Sequence, residues 1–349
     1  MCKIKQVVIL CLSLTSSVFL WTLSAQPSQN EAAKLFLPVE KQVSQPDFSK
    51  IDEYVLGIRT RRNMSEAELV KLITQQSHTK MEKARAIFIW IAHNIAYDTN
   101  LKINSKEEAL RQGKGVCEAY SGLFKSFAEL VGLEVETVVG DSKQSFYKRP
   151  SDLDRGGHAW NVVKVDDGRW ILVDATWGAG YVENKKFTRK LTTHWFDSKP
   201  EIFIFTHFPQ EDQWQLLDKP VTRDEFLRMP PLSPEKISWG FNPYETLLYF
   251  SKNKDAWFPD VFSIEDIVLN IKKMPISSEL KVGQSYDFEL VLTQNEEAAI
   301  IFNNKDWVRF NRDGDKFSVT IIPEGKGQAI LAVKQPSGKF GGVFKYDIK

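Results

Sequence analysis

The chain has 349 residues, 42% of them hydrophobic and 12% aromatic, which is enough to bury a full core and to build two domains. Lysine and arginine number 46 against 45 aspartates and glutamates. With no global field of either sign, the composition gives a nucleic acid or an anionic membrane surface nothing to recognise.

Lys3 and Lys5 precede an apolar run from Val7 to Leu23 that ends at Ser24-Ala25-Gln26. This pattern reads as a secretory signal over residues 1–25, cleaved after Ala25. The alternative is a retained membrane anchor, since the run approaches the ~20 residues that cross a bilayer. A lipoprotein reading through Leu10-Cys11 is weaker, because that cysteine sits too early in the apolar stretch. The chain is thus expected to be secreted or periplasmic after cleavage, or membrane-anchored if the segment is retained. Cleavage removes Cys2 and Cys11 and leaves Cys117 without an intramolecular partner. Such a thiol is either a small buried hydrophobe or a reactive group.

Residues 26–47 are polar and aperiodic, as in a linker. Three S/T-x-x-E capping patterns follow, at Ser65/Glu68, Thr79/Glu82 and Ser105/Glu108, and each marks a helix start. The second opens a helix whose Ala84, Ile87, Phe88, Ile91 and Ile95 recur near helical spacing, which predicts burial. Another helical pattern runs from Cys117 to Val131, with Gly132 as its stop. The period then shortens to that of strands over Val135 to Gly140, Ala159 to Val165 and Trp170 to Thr176. Helices followed by a sheet make the first domain, residues 48–217, α+β.

Residues 218–264 are rich in proline and aromatics and read as an irregular connection. Beyond them, strand-like stretches at Ile267 to Ile271, Tyr286 to Leu292, Ala298 to Phe302, Phe317 to Ile322, Ala329 to Val333 and Gly342 to Tyr346 are separated by turns such as Asn303-Asn304 and Asp313-Gly314-Asp315. They predict an all-β immunoglobulin-like sandwich over residues 265–349.

Cys117 follows Gly113-Lys114-Gly115-Val116, which reads as a mobile approach to the first turn of its helix. The free N–H groups and positive dipole end of a helix N-terminus favour thiolate over thiol and can stabilise an oxyanion. A thiolate nucleophile still needs a proton carrier. Of the five histidines, His78 and His93 lie within or beside early helices and read as structural. His158, framed by Gly156-Gly157 at the start of a strand, has a rigid mount and an open approach. Asp174 sits in an otherwise apolar run. It either caps the next turn or faces His158, and hairpin geometry separates the two readings. A three-residue loop at Asp166-Asp167-Gly168 pairs Val165 with Arg169 and sets Trp160 opposite Asp174, which makes His158 and Asp174 diagonal neighbours on one face. A two-residue loop puts them on opposite faces.

Gly115-Val116-Cys117-Glu118-Ala119-Tyr120, Gly157-His158-Ala159-Trp160-Asn161 and Trp170-Ile171-Leu172-Val173-Asp174-Ala175-Thr176-Trp177-Gly178 resemble the transglutaminase-like core. Ala84 to Asp98, His194-Trp195-Phe196 and Phe205-Thr206-His207-Phe208-Pro209 narrow the resemblance to the kyphoscoliosis peptidase branch. It covers about residues 48–217. The resemblance implies a papain-like α+β fold in which Cys117 is the nucleophile, His158 the general base and acid, and Asp174 the residue that orients the imidazole. His194 and His207 are assigned to packing or a cleft wall, and Trp160, Trp177 and Tyr97 read by default as buried aromatics, with lining the cleft as the alternative.

One mature cysteine and scattered histidines lack zinc-ligand spacing, and Asn311 to Asp315 is a turn rather than a calcium loop. No metal or cofactor is therefore expected. The expected function is an exported cysteine-dependent acyl-transfer enzyme, a peptidase or a transamidase. Its expected partner is a peptide or protein substrate, with the cell envelope as a second candidate and no nucleic acid. The competing reading is a noncatalytic envelope or adhesion protein that uses core and sandwich as binding modules.

Overall fold

The computed structural model describes residues 46–349 except 59–63, 145–146, 234–236, 238, 263–268 and 293–296. The expected signal segment and all but the end of the linker lie outside the described residues.

The first domain opens with helices α1 (Ser49–Leu56), α2 (Glu66–Ile73) and α3 (Lys80–Asn94). Ser65/Glu68 and Thr79/Glu82 form reciprocal capping boxes at the starts of α2 and α3. Ser105 caps α4 (Lys106–Gln112) from one side only: its hydroxyl accepts from the Glu108 amide, while the Glu108 carboxylate accepts from Arg111 and Gln112. Helix α3 is buried continuously from Ala84 to Ala92. Even Arg85 is covered, its guanidinium forked onto Asp52 at 2.8 and 2.6 Å and resting on the rings of Phe48, Phe88 and Phe196. A buried arginine is stable only when paired in this way.

Short parallel strands β1 (Ala96–Tyr97) and β2 (Lys114–Gly115) lead into α5 (Cys117–Leu130). Gly132 (φ +76°) stops α5 as expected. Then come β3 (Val135–Ser142), β4 (Asp154–Lys164), β5 (Trp170–Val173), helix α6 (Ala175–Ala179), the hairpin β6 (Gly180–Glu183) and β7 (Lys186–Arg189), β8 (Phe196–Ser198), α7 (Pro200–Phe203) and β9 (His207–Pro209). The main sheet has the order β8-β5-β4-β3-β9, all its pairs antiparallel. Apolar side chains of α3 and α5 and the inner residues of the sheet share one core with Phe48, Trp195 and Phe203.

The connection is more ordered than its prolines suggest. It contains α8 (Arg223–Arg228), opened by a Thr222/Glu225 capping box, and α9 (Pro243–Lys252), capped by Asn242 with proline at its first position. Proline is tolerated there because the N–H it lacks has no helical partner.

The C-terminal region comprises β10 (Asp260–Val261), β11 (Leu269–Lys273), β12 (Glu279–Leu280), β13 (Tyr286–Leu292), β14 (Ala298–Phe302), β15 (Asp306–Arg309), β16 (Asn311–Asp313), β17 (Lys316–Ile321), β18 (Gly327–Lys334) and β19 (Phe340–Ile348). One sheet runs β10-β19-β18-β14-β15, with β12 parallel to β19, and the other runs β11-β13-β17-β16. Their inward residues, Phe288, Leu290, Ile300, Phe317, Leu331 and Phe344 among them, form a second core. β17 follows strict alternation of exposed and buried positions. This second core also takes in Tyr147, Leu153, Ile204 and Phe205 of the first domain and Phe226 and Phe250 of the connection. The connection is therefore part of the packing that joins the domains.

Lys143 lies in that joint with no exposed surface. Its ammonium donates to the Phe226 carbonyl and, at 2.8 Å, to the Met229 carbonyl, and it rests over the rings of Phe226 and Tyr147. It satisfies the terminal carbonyls of α8. Burial pushes its pKa well below the usual lysine range.

Candidate active site

Cys117 is the first residue of α5, with Val116 as an extended N-cap (φ −92°, ψ 176°). The approach to it is fixed rather than mobile. Gly113 closes α4 in the left-handed conformation (φ +69°), and Lys114–Gly115 is held against Ala96–Tyr97. Gly115 has no room for a side chain, because a Cβ there would sit 2.8 Å from that of Ala119. The half-buried Cys117 thiol meets the central strand β4, its Sγ 3.5 Å from the Gly157 carbonyl oxygen.

The β4–β5 hairpin has the three-residue loop. Val165 donates to the Arg169 carbonyl, Gly168 takes φ +83°, and the register runs Lys164↔Trp170 to Asn161↔Val173. One step further sets Trp160 opposite Asp174, and His158 reaches Asp174 diagonally, Nε2 to Oδ2, at 2.7 Å. The strand expected through Thr176 ends at Val173, because Asp174 turns the chain into α6. Its Oδ1 accepts from the Thr176 and Trp177 amides at 2.8 and 2.9 Å. Asp174 thus caps the helix with one oxygen and holds His158 with the other, so the two readings of this residue are both satisfied.

The structure adds His207. Its Nε2 lies 3.1 Å from the same Oδ2, and its Nδ1 lies 2.8 Å from the Thr206 hydroxyl. Sequence reasoning placed it in packing or a cleft wall, and the only signal was its position in Phe205-Thr206-His207-Phe208-Pro209. Asp174 and His207 are wholly buried and His158 is 5% exposed. The Phe203 ring stacks on His207 at 3.9 Å, and Trp177, Trp160 and Trp195 enclose it at 4.5–5.4 Å.

Burial alone would drive all three groups towards neutrality. For His158 this is outweighed by the Asp174 charge and hydrogen bond, with further help from Cys117, and the pKa rises to about 10. The Asp174 carboxyl is held well below the usual carboxylate range by His158 and then His207, against the opposing effect of burial. His207 goes the other way, pushed down to about 4 by burial and by the His158 charge, which together exceed the pull of Asp174. His158 is therefore the charged ring and His207 the neutral one. With Nε2 on Asp174, His158 has Nδ1 uncommitted to that bond, and Cys117 is among the neighbours that raise its pKa, while the thiol's own contact is with the Gly157 carbonyl.

Trp160 is buried beside His158, stacked at 5.9 Å, and Trp177 is half-buried at 5.6 Å. Tyr97 is half-buried on β1, next to the strand that leads to Cys117. His194 is exposed and outside the site, while His78 and His93 lie at the start and end of α3. Among the described residues, His158, Asp174 and His207 form one group whose ligand atoms lie within 4.8 Å of one another. Those same atoms are engaged in the hydrogen bonds above.

Residues 67–175 match the family model of the Transglutaminase-like superfamily. Over 188 residues the chain is 37% identical to kyphoscoliosis peptidase of Homo sapiens, covering 51% of this chain and 28% of that protein. It is 29% identical to hillarin of Drosophila melanogaster over 202 residues, 53% of this chain and 25% of that one. The chain thus spans about a quarter of the length of these relatives. A solved structure titled as that of a TGase aligns with a TM-score of 0.27 and 18% identity, over 46% of this chain and 41% of the other.

Proposed function

The chain carries a transglutaminase-like domain related to kyphoscoliosis peptidase, and from that premise we propose that it is an exported cysteine-dependent acyl-transfer enzyme acting on peptide or protein amides. The observation that carries this reading is the buried 2.7 Å bond from His158 Nε2 to Asp174, next to Gly157, whose carbonyl lies 3.5 Å from the Cys117 sulfur at a helix N-terminus.

In this reading the Cys117 sulfur attacks the amide carbon. The oxyanion forms beside the first-turn amides of α5, which lack helical acceptors. His158 gives its proton to the departing amine as the C–N bond breaks, leaving a thioester on Cys117 and a neutral imidazole. Water or an amine then attacks the thioester, His158 takes its proton and regains its charge, and the C–S bond breaks to release Cys117 as thiolate. Asp174 stays ionised throughout and fixes the ring. Hydrolysis is the favoured outcome, which makes the enzyme a peptidase; transfer to an amine uses the same thioester. Export rests on the charged and apolar pattern of residues 1–25. Among the described residues no helix is long and apolar enough to cross a membrane.

The test is alkylation of the purified protein by iodoacetamide across pH, comparing wild type with His158→Ala. The proposal expects rapid labelling of Cys117 near neutral pH that collapses in the variant. A purely alkaline profile, identical in both proteins, sinks it.

A further inference from the structure

We propose that His207 is a positioning residue for the triad: an Nε2–H donor, its proton held there by the carboxylate it faces, that locks Asp174 in the orientation His158 requires. The inference rests on the triad reading above and adds a fourth member to its hydrogen-bonded chain.

The argument begins with the donor inventory of Asp174. A carboxylate accepts about four hydrogen bonds, and Asp174 has four partners: the Thr176 and Trp177 amides on Oδ1 and the two histidine Nε2 atoms on Oδ2. The amides fix the position of Oδ1 but leave the carboxylate plane free to turn about it. Two donors converging on Oδ2 from different strands remove that freedom, because any rotation that lengthens one bond misaligns the other. Charge-assisted bonds of this kind are the strong ones.

His207 suits a donor that never exchanges its proton with the reaction. It has no exposed surface, whereas His158 lies beside the thiol. Its Nε2 faces the ionised Asp174 carboxylate, which can only accept, and this places the proton of the neutral ring on Nε2, while Nδ1 lies 2.8 Å from the Thr206 hydroxyl, itself 3.2 Å from the Phe203 carbonyl. The stacked Phe203 and the three tryptophans prevent ring flipping. It belongs to β9, which pairs with β3 in the register Ser142↔His207 and lies beyond the family-matched residues 67–175. An edge strand outside that segment therefore completes the support of the site.

The decisive measurement uses the full chain and two substitutions. His207→Gln keeps an amide N–H near the position of Nε2; His207→Phe keeps an aromatic ring in the cage and removes the donor. With one donor fewer, the Asp174 carboxylate holds His158 less firmly beside the sulfur, so the reactive pair forms at higher pH. The acid edge of the iodoacetamide profile in His207→Phe should then move up by about one pH unit, and labelling at neutral pH should fall about tenfold. His207→Gln should stay within about threefold of wild type with its acid edge unmoved. A folded His207→Phe with the wild-type edge and rate overturns the inference, as does a Gln variant that fails as badly as Phe. Nitrogen-15 NMR of the unmutated protein supplies a reading that needs no variant. An Nε2–H tautomer on His207 from pH 5 to 9 is expected, and a proton on Nδ1 instead overturns the inference. Failure of the triad reading is separately visible, since His158→Ala would then label like wild type.

Discussion

The catalytic end of the main sheet and the C-terminal sandwich solve folding in opposite ways. Around Asp174 the interior is polar, with His158, His207, Asn161, Ser142 and Thr206 all buried within a few residues of one another on β3, β4 and β9. In the sandwich, no described residue after Thr246 is a buried polar or charged one. An apolar interior is forgiving of detail, because burial is non-directional. A polar interior depends on matching donors to acceptors, which Asp174, His158 and His207 do for one another, while the buried Ser142 hydroxyl and Trp160 indole N–H have no partner among the described residues. One region should fail in chemistry and the other in stability alone.

The largest test of this contrast is Asp174→Asn. Asparagine retains one acceptor oxygen and turns an amide N–H₂ towards histidines that need an acceptor, so the His158 ring loses its orientation. We expect kcat/KM on a peptide amide to fall about 10³–10⁴-fold. Urea denaturation should show about 3–5 kcal/mol less stability, as when one partner of a buried charge pair is removed. A variant with near wild-type turnover would break the comparison at its strongest point.

Phe288→Ala probes the other side. Phe288 has no exposed surface and meets the rings of Phe310 and Tyr346 at 6.5 and 5.8 Å. Truncation should cost about 3–5 kcal/mol in urea, while the alkylation rate of folded Cys117 stays within twofold. A rate that falls together with stability would show that the sandwich supports the site directly.

These contrasts explain what was legible in the sequence. Tyr286–Leu292 and Ala298–Phe302 match their expected strands at both ends, because alternation is a local consequence of burying one face. β15 and β16 were missed because their residues are exposed throughout and show no alternation. In the first domain, the capping boxes mark α2 and α3 from short-range chemistry, whereas the sequence leaves the β4–β5 hairpin open between a three-residue and a two-residue loop, and the structure has the three-residue one. His207 was not readable as a partner of Asp174. It lies 33 residues away, on a three-residue strand whose place depends on pairing with β3. No local pattern encodes that pairing. Thr222 and Glu225 fit the same capping pattern, but the neighbouring prolines and aromatics predict an irregular connection where α8 forms.

Acid titration should separate the two regions next. His207 binds no proton in the folded chain until about pH 4, whereas an unfolded histidine titrates near 6.5. The unfolded state therefore holds more protons between those values, and stability must fall as pH falls from 6.5 to 4, by roughly 3 kcal/mol over the window. Asp174, held low, extends the loss below the ordinary carboxylate range. His158 acts with the opposite sign. Its raised pKa contributes stability that is present below 6.5 and lost as pH rises through about 10. Urea midpoints at pH 4, 5, 6.5 and 10 check both limbs, and His207→Gln should flatten the first. An unchanged slope in that variant would move the acid sensitivity elsewhere.

The smallest effect is expected at the joint. Thr222 accepts from the Glu225 amide at 3.2 Å, and the Glu225 carboxylate returns to the Thr222 amide at 2.8 Å. Thr222→Ala should cost about 1 kcal/mol by fraying the start of α8, the helix whose terminal carbonyls receive Lys143. The Lys143 amide in turn donates to the carbonyl of Thr206, the residue beside His207. Because Lys143 grips the far end of α8, loss of the cap should leave that grip intact and Cys117 alkylation within twofold of wild type. A larger change would mean that the joint and the site move as one unit, and the division between a polar catalytic region and an apolar supporting one would have to be redrawn along the line from Lys143 to His207.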